Sequence, residues 1–150
     1  MAKTTKKRPA PKKRRPPARR QPETLRLRDI APSFTASDLQ RSIAFYRDVL
    51  GFVVGDEWRG DDGVLQGCEM RAGTVLFMLS QDDFTKGRDR KKGIGTRLHC
   101  STAQDIDRLA EEIKARGGTL DQEPTDMEWG QRVFMISDPD GFKLTIAQVR

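Results

Sequence analysis

Between residues 38 and 51 the apolar side chains fall at Leu39, Ile43, Tyr46 and Leu50, a three- and four-residue spacing that lays one apolar stripe along a helix. Ser37 or Asp38 can cap its start, and Gly51 can close its end. Short alternating runs from Leu25 onward predict a strand leading into it. Apolar runs at 52–54, 64–70 and 74–79, parted by Gly-Asp and Ala-Gly turns, predict a three-stranded antiparallel meander. The order is βαβββ. After a charged stretch at 86–93 it recurs: a strand at 97–102, a helix over 105–116 closed by Gly117-Gly118, and strands near Thr119, at 132–136 and at 143–148. An offset of 67 superposes Asp38 on Asp105, Leu39 on Ile106, Tyr46 on Ile113 and Gly51 on Gly118. A repeat of that length implies a duplicated supersecondary unit, each copy needing the other to bury its sheet.

Charge divides the chain of 150 residues differently. Residues 1–20 hold ten Lys or Arg and no acid; removing those from the 28 basic residues leaves 18 against 22 acids, so the body is net −4 although the chain is net +6. The basic segment is interleaved with Pro9, Pro11, Pro16, Pro17 and Pro22 and offers nothing to bury. Residues 1–24 are therefore expected to be a disordered tail, and 25–150 one domain, with module one at about 27–81, a linker at 82–95 and module two at about 96–149. No run approaches the roughly 20 apolar residues of a membrane span, and none forms the apolar core of a secretion signal. A cytoplasmic protein is expected. Cys68 and Cys100 lie far apart in apolar runs without a Cys-x-x-Cys spacing, which reads as two buried thiols.

Two stretches carry a family resemblance. Asp38-Leu39-x-x-Ser42-Ile43-x-Phe45-Tyr46-x-Asp48-Val49-Leu50-Gly51-Phe52 resembles the first-helix signature of the vicinal-oxygen-chelate superfamily of glyoxalases, bleomycin-resistance proteins and extradiol dioxygenases. Trp129-Gly130-x-Arg132-x-Phe134-x-x-x-Asp138-Pro139-Asp140-Gly141 resembles its closing hairpin. The resemblance covers about residues 27–149 and implies an α+β fold of two βαβββ modules whose sheets curl into an open cup, often as a homodimer sharing sites. Asp-Pro-Asp-Gly itself suits a type I turn.

Enzymes of that superfamily hold a divalent metal through one position on the first and one on the last strand of each module. The matching positions here are Ala31, Phe77 or Met78, Leu98 and Thr145, none a usual ligand. A one-residue shift in register would turn His99 into the cup in place of Leu98. With a single His in the chain, a two-histidine, one-carboxylate iron triad is excluded by composition. No cofactor is expected, and the leading expectation is a metal-independent protein that sequesters a small aromatic or cationic molecule. Trp58 and Trp129 would be stacking walls, with Phe77, Met78, Glu128 and Arg132 as companions. Two alternatives differ in class. Lys6-Lys7-Arg8 and Lys12-Lys13-Arg14-Arg15 could bind nucleic acid non-specifically, which would place the protein at the nucleoid. A metal-dependent lyase or isomerase would have to draw on His99 with Asp29, Glu57 or Glu69.

Overall fold

The computed structural model describes Leu25 and residues 27–149. The two basic clusters expected to touch nucleic acid lie outside the described residues. The chain divides into two units at residue 30, and the unit from residue 31 onward carries every helix and strand described here.

That unit runs β1 (Ser33–Ala36), α1 (Leu39–Ala44) with a π-helical extension (Phe45–Val49), β2 (Val53–Arg59), β3 (Leu65–Ala72) and β4 (Val75–Gln81). The second module follows as β5 (Arg97–Thr102), α2 (Ile106–Ala115), β6 (Gln122–Asp126), β7 (Arg132–Ser137) and β8 (Lys143–Gln148). Each module forms a four-stranded sheet in which its first strand pairs in parallel with its last, in the orders β1-β4-β3-β2 and β5-β8-β7-β6. The expected α+β duplication is thus present.

The repeat extends to its capping chemistry. Asp38 accepts from the Arg41 N–H at 3.0 Å and Asp105 from the Arg108 N–H at 2.8 Å, each satisfying an orphan donor of a helix start. Gln81 and Gln148, 67 residues apart, end the last strands, and their amide oxygens accept from Leu39 and Ile106 N–H at 3.0 and 3.4 Å. Helix and sheet of each copy are therefore joined by the same side chain.

The helix C-termini break the offset by one. The second helix closes with Gly118 N–H bonded to the Ile113 carbonyl at 2.9 Å and Gly117 at φ +90, a conformation only glycine adopts without strain. The first closes with Phe52 N–H bonded to the Tyr46 carbonyl at 2.8 Å and Gly51 at φ +82, a loop one residue wider. Gly51 thus corresponds to Gly117 rather than to Gly118, because the π turn, with Leu50 N–H reaching Phe45 O at 3.1 Å, takes up one extra residue. The strand expected near Thr119 begins instead at Gln122. It is an edge strand, where Pro124 costs no internal ladder bond.

One continuous core joins the modules. Phe34, Met70, Phe77 and Leu79 of the first sheet meet Phe134, Ile136 and Leu144 of the second around Tyr46, Ile106 and Ile113 of the helices. Tyr46 lies edge-on to Phe77 at 4.6 Å, and Phe34 stacks on Phe142 at 4.2 Å, contacts worth about 0.5–1.5 kcal/mol each beyond their burial. The two family-like stretches meet here. The Tyr46 hydroxyl donates to Asp138 Oδ2 at 3.0 Å across 92 residues of sequence, while Asp138 Oδ1 accepts from Asp140 and Phe142 N–H, both at 2.9 Å. Burial, with the Asp138 charge beside it, holds the Tyr46 hydroxyl protonated far above the ordinary range of tyrosine. Asp-Pro-Asp-Gly is a turn, with Gly141 N–H returning to the Asp138 carbonyl at 3.0 Å, and its first carboxylate ties that turn to the helix of the other module.

Candidate functional site

Because side chains alternate along a strand, burying Phe34, Phe77, Leu79, Cys68 and Met70 in the shared core sends their neighbours to the opposite, open face of the first sheet. That face carries Ser33, Thr35, Glu69, Met78 and Ser80, with Ser33 paired to Met78 and Glu69 to Met78 across the ladder. On the second sheet Leu98, Leu144 and Ile146 turn to the core. The open face there carries the exposed Arg97, His99 and Lys143 and, buried between its neighbours at 2% exposure, Thr145, with His99 paired to Thr145 and Arg97 to Lys143. The two helix-covered faces meet in one core, so the two open faces point away from it.

Trp58 belongs to the first open face. It pairs with Gly67, and a Cβ built on Gly67 would come within 2.2 Å of its indole ring and 2.5 Å from the Leu79 carbonyl oxygen, so the indole packs over bare backbone. At 37% exposure part of that ring remains open to solvent. Met78 shares the face. Phe77 is 3% exposed within the aromatic core, one residue out of phase with the open face. Trp129, 59% exposed, and the exposed Glu128 sit at the β6–β7 turn, where the Trp129 ring N–H donates to Gln131 Oε1 at 3.1 Å. Arg132 points to the helix side, bidentate on Asp107 at 2.7 and 2.9 Å and 3.3 Å from Asp126, partners that raise its pKa further and lower that of Asp107. The six residues thus fall into three places: Trp58 with Met78, Glu128 with Trp129, and Phe77 and Arg132 on the helix-covered side.

The same faces set the donors available to a metal. Leu98 is committed to the core and His99, one residue along, is exposed on the open face beside Thr145. The set near the family positions is then Ala31, Met78, His99 and Thr145: a methyl, a thioether, an imidazole and a hydroxyl. A catalytic zinc site takes about three nitrogen, oxygen-anion or thiolate ligands, so these side chains do not fit the ion. Among the described residues no group of three His, Cys, Asp or Glu comes together. The carboxylates of Asp29, Glu57 and Glu69 are engaged elsewhere. Glu69 is held by Arg71, which lowers its pKa, and Glu57 by Arg59 at 2.8 Å, while Asp29 accepts from the Ile30 N–H at 2.7 Å. Cys68 and Cys100 are free thiols, both pushed up in pKa by burial and so poor thiolates.

Two features around the linker arise from residues distant in sequence. The linker carries Lys92, whose side chain is 3% exposed and whose ammonium group lies 2.8 Å from Asp82 and 3.8 Å from Asp140 and donates to Ser37 Oγ. Arg90 adds a second cation 3.1 Å from Asp82, and together they hold that carboxylate down at about 2. The other feature is an open groove of about 610 Å³ beside this network, running from Arg90 along the linker to Arg97 and Lys143. Its signal in the sequence is the run Lys91-Lys92-Gly93-Ile94-Gly95-Thr96-Arg97, where glycines alternate between cations.

The duplicated modules, the capping pairs and the open faces place the chain in a family. Residues 30–146 match the Glyoxalase/Bleomycin resistance protein/Dioxygenase superfamily, and the chain belongs to it. It is 26% identical over 121 residues to lactoylglutathione lyase GLX1 of Arabidopsis thaliana, covering 77% of this chain but only 42% of that protein. A probable lactoylglutathione lyase of Synechocystis is 27% identical over 117 residues, covering 74% of this chain and 87% of that one. Among solved structures, TioX from Micromonospora superposes with a TM-score of 0.64 at 17% identity over 79% of this chain and 96% of that one. A superfamily member from Sphaerobacter thermophilus superposes at 0.61 with 25% identity, over 81% and 98%. Among the described residues no helix is long and apolar enough to cross a membrane.

Proposed function

We propose that this protein binds a small, flat organic molecule on its open sheet faces without the help of a metal ion. The reading is carried by the exchange of chemistry on those faces: at the positions where the resemblance calls for metal ligands stand Ala31, Met78 and Thr145, with His99 turned outward in place of its neighbour Leu98, and on the first face Trp58 presents its indole over Gly67. An aromatic ligand lying on Trp58 would gain about 0.5–1.5 kcal/mol from the ring pair in addition to apolar burial. A cationic substituent would meet Glu69 only in competition with Arg71, so the aromatic part of the ligand is the part this reading keeps. Trp58 stands on the first open face and Trp129 at the β6–β7 turn of the other sheet, and a second copy of the chain, set against the first open face, would supply a second wall. The proposal therefore includes a homodimer.

Thermal unfolding of the full chain against a panel of aromatic antibiotics and metabolites tests it. At least one compound should raise Tm saturably, and the gain should vanish in Trp58→Ala while the protein remains folded. No stabilisation by any compound, or an equal gain in Trp58→Ala, would overturn the reading.

Lyase or isomerase activity is the second reading, supported by the names of two relatives. Its metal would have to be found outside the donor set just described. Non-specific nucleic-acid binding through residues 1–20 is a third; deleting them should abolish retention on DNA at low salt.

A further inference from the structure

We propose that the groove between the linker and the edge of the second sheet is a binding site for a small anion carrying phosphate or paired carboxylate groups. Five cations line it: Arg90, Lys91, Lys92, Arg97 and Lys143. Asp140 also lines it, and Asp82 pairs with two of the cations, so five positive and two negative charges leave +3 in a body that is net −4. Field lines in such a concavity draw anions and reject cations.

The charges are not all accounted for by the fold. Lys92 and Arg90 are used on Asp82, and the Asp140 carboxylate faces the first module, accepting from the Ser37 N–H at 3.0 Å. Lys91, Arg97 and Lys143 are exposed and make no ion pair among the described residues. Arg97 and Lys143 are direct partners in the parallel β5–β8 ladder, two like charges side by side, and the Arg97 guanidinium has only the neutral Thr145 Oγ1, at 3.1 Å, as a side-chain acceptor among the described residues. An anion bridging the guanidinium and the ammonium turns that repulsion into two charge-assisted hydrogen bonds. Local rules broken in this way are expected where a ligand restores the balance.

The backbone supports the same ligand. Gly93 and Gly95 stand at φ +72 and +71 on either side of Ile94, an alternation of hand that lets successive N–H groups converge on an anion. Gly93 is also pinned: a Cβ there would sit 2.6 Å from the Gly141 carbonyl carbon and 2.8 Å from the Phe142 nitrogen. The groove is thus built against the Asp-Pro-Asp-Gly turn.

The test is thermal unfolding and calorimetric titration of the full chain with inorganic phosphate, pyrophosphate and malonate, at ionic strength held constant with sodium chloride. The comparison variant is Arg97→Gln/Lys143→Gln, which keeps the ten cations of residues 1–20, so binding there is common to both proteins. At saturation by at least one of the anions the natural protein should gain about 5 °C in Tm. The double variant should bind that anion at least about tenfold more weakly. Without anion it should unfold at the same temperature as the natural protein or higher, since the like-charge pair is gone. Response to phosphate or pyrophosphate alone assigns a phosphate-bearing ligand, and response to malonate alone a dicarboxylate. Lys91→Gln, a change on an exposed linker residue, should weaken binding as well and serves if the double variant does not fold. Equal binding by the natural protein and these variants, or no saturable response to any of the three anions, overturns the proposal.

Discussion

Replacing Tyr46 by Phe isolates the contact that ties the two modules together. The ring stays, keeping its edge contacts at 4.6 Å to Phe77, 5.2 Å to Phe45 and 5.6 Å to Phe52, so no cavity forms. What is lost is the hydroxyl that donates to Asp138 at 3.0 Å, leaving that buried carboxyl with its two backbone donors. A hydrogen bond to a charged group contributes about 1.5–3 kcal/mol and one between neutral groups about 0.5–1.5, so the cost depends on whether Asp138 is ionised. Burial raises the Asp138 pKa in the folded state, while the Phe142 N–H and the Tyr46 hydroxyl pull it down. A raised folded value means that Asp138 adds stability in its protonated form, fully below the ordinary carboxylate range, and that this contribution is lost as pH climbs through the raised value. Without the hydroxyl the value rises further and the loss with pH steepens. Denaturant unfolding of both proteins from pH 4 to pH 8 should show a destabilisation near 1 kcal/mol at the acid end growing to about 2 kcal/mol at pH 8. At roughly 2–4 °C per kcal/mol, the neutral-pH loss is about 4–8 °C in Tm. A cost that does not change with pH, or one below about 0.5 kcal/mol throughout, would refute the claim that this bond is made to a buried, ionisable clamp.

Other changes test other parts of the structure. Gly67→Ala should destabilise by about 1–3 kcal/mol and shift the tryptophan emission, because its methyl group meets both the Trp58 ring and the rigid Leu79 carbonyl; unchanged stability and emission would mean the indole does not rest there. Lys92→Met leaves Asp82 and Asp140 without their buried cation and should lower Tm far more than Arg47→Gln, which removes an exposed partner of Asp48. The Asp82 carboxyl titrates at about 2 in the folded state, below its ordinary value of 3.8, so its contribution is complete above the ordinary range and disappears as pH falls toward 2. Acid titration of Tm should therefore be shallower in Lys92→Met than in the natural protein.

Much of this fold could be read from spacing alone, since burial imposes period 3.6 on the helices and period 2 on the strands. Leu39, Ile43 and Tyr46 are buried as their spacing requires, and Asp38 and Asp105 cap their helices. The failures are those of one-residue resolution. The π turn after Ala44 carries one residue more than the helix it copies, invisible to a pattern that only counts apolar positions. β6 is an edge strand of mostly polar residues, so nothing in Gln122-Glu123-Pro124-Thr125-Asp126 alternates strongly enough to mark it. The same resolution limits the site. Phe77 and Met78 are neighbours in one apolar run, and only the ladder tells which faces the core and which the open side. Arg132 sits between Asp126 and Asp107, the latter 25 residues away in sequence, and the groove of Arg97 and Lys143 joins strands separated by a helix and a hairpin. Such pairings are set by topology, which composition does not carry.

Metal content decides between ligand grip by shape and stacking and ligand grip by coordination. The full chain should be purified without chelator, equilibrated with zinc, nickel, manganese and ferrous ions, freed of excess and measured by elemental analysis. A far substoichiometric content, the same in the natural protein and in His99→Ala, is expected for faces that offer one imidazole. About one tightly held divalent ion per chain, lost in His99→Ala, would contradict that expectation and restore a metal-dependent reaction.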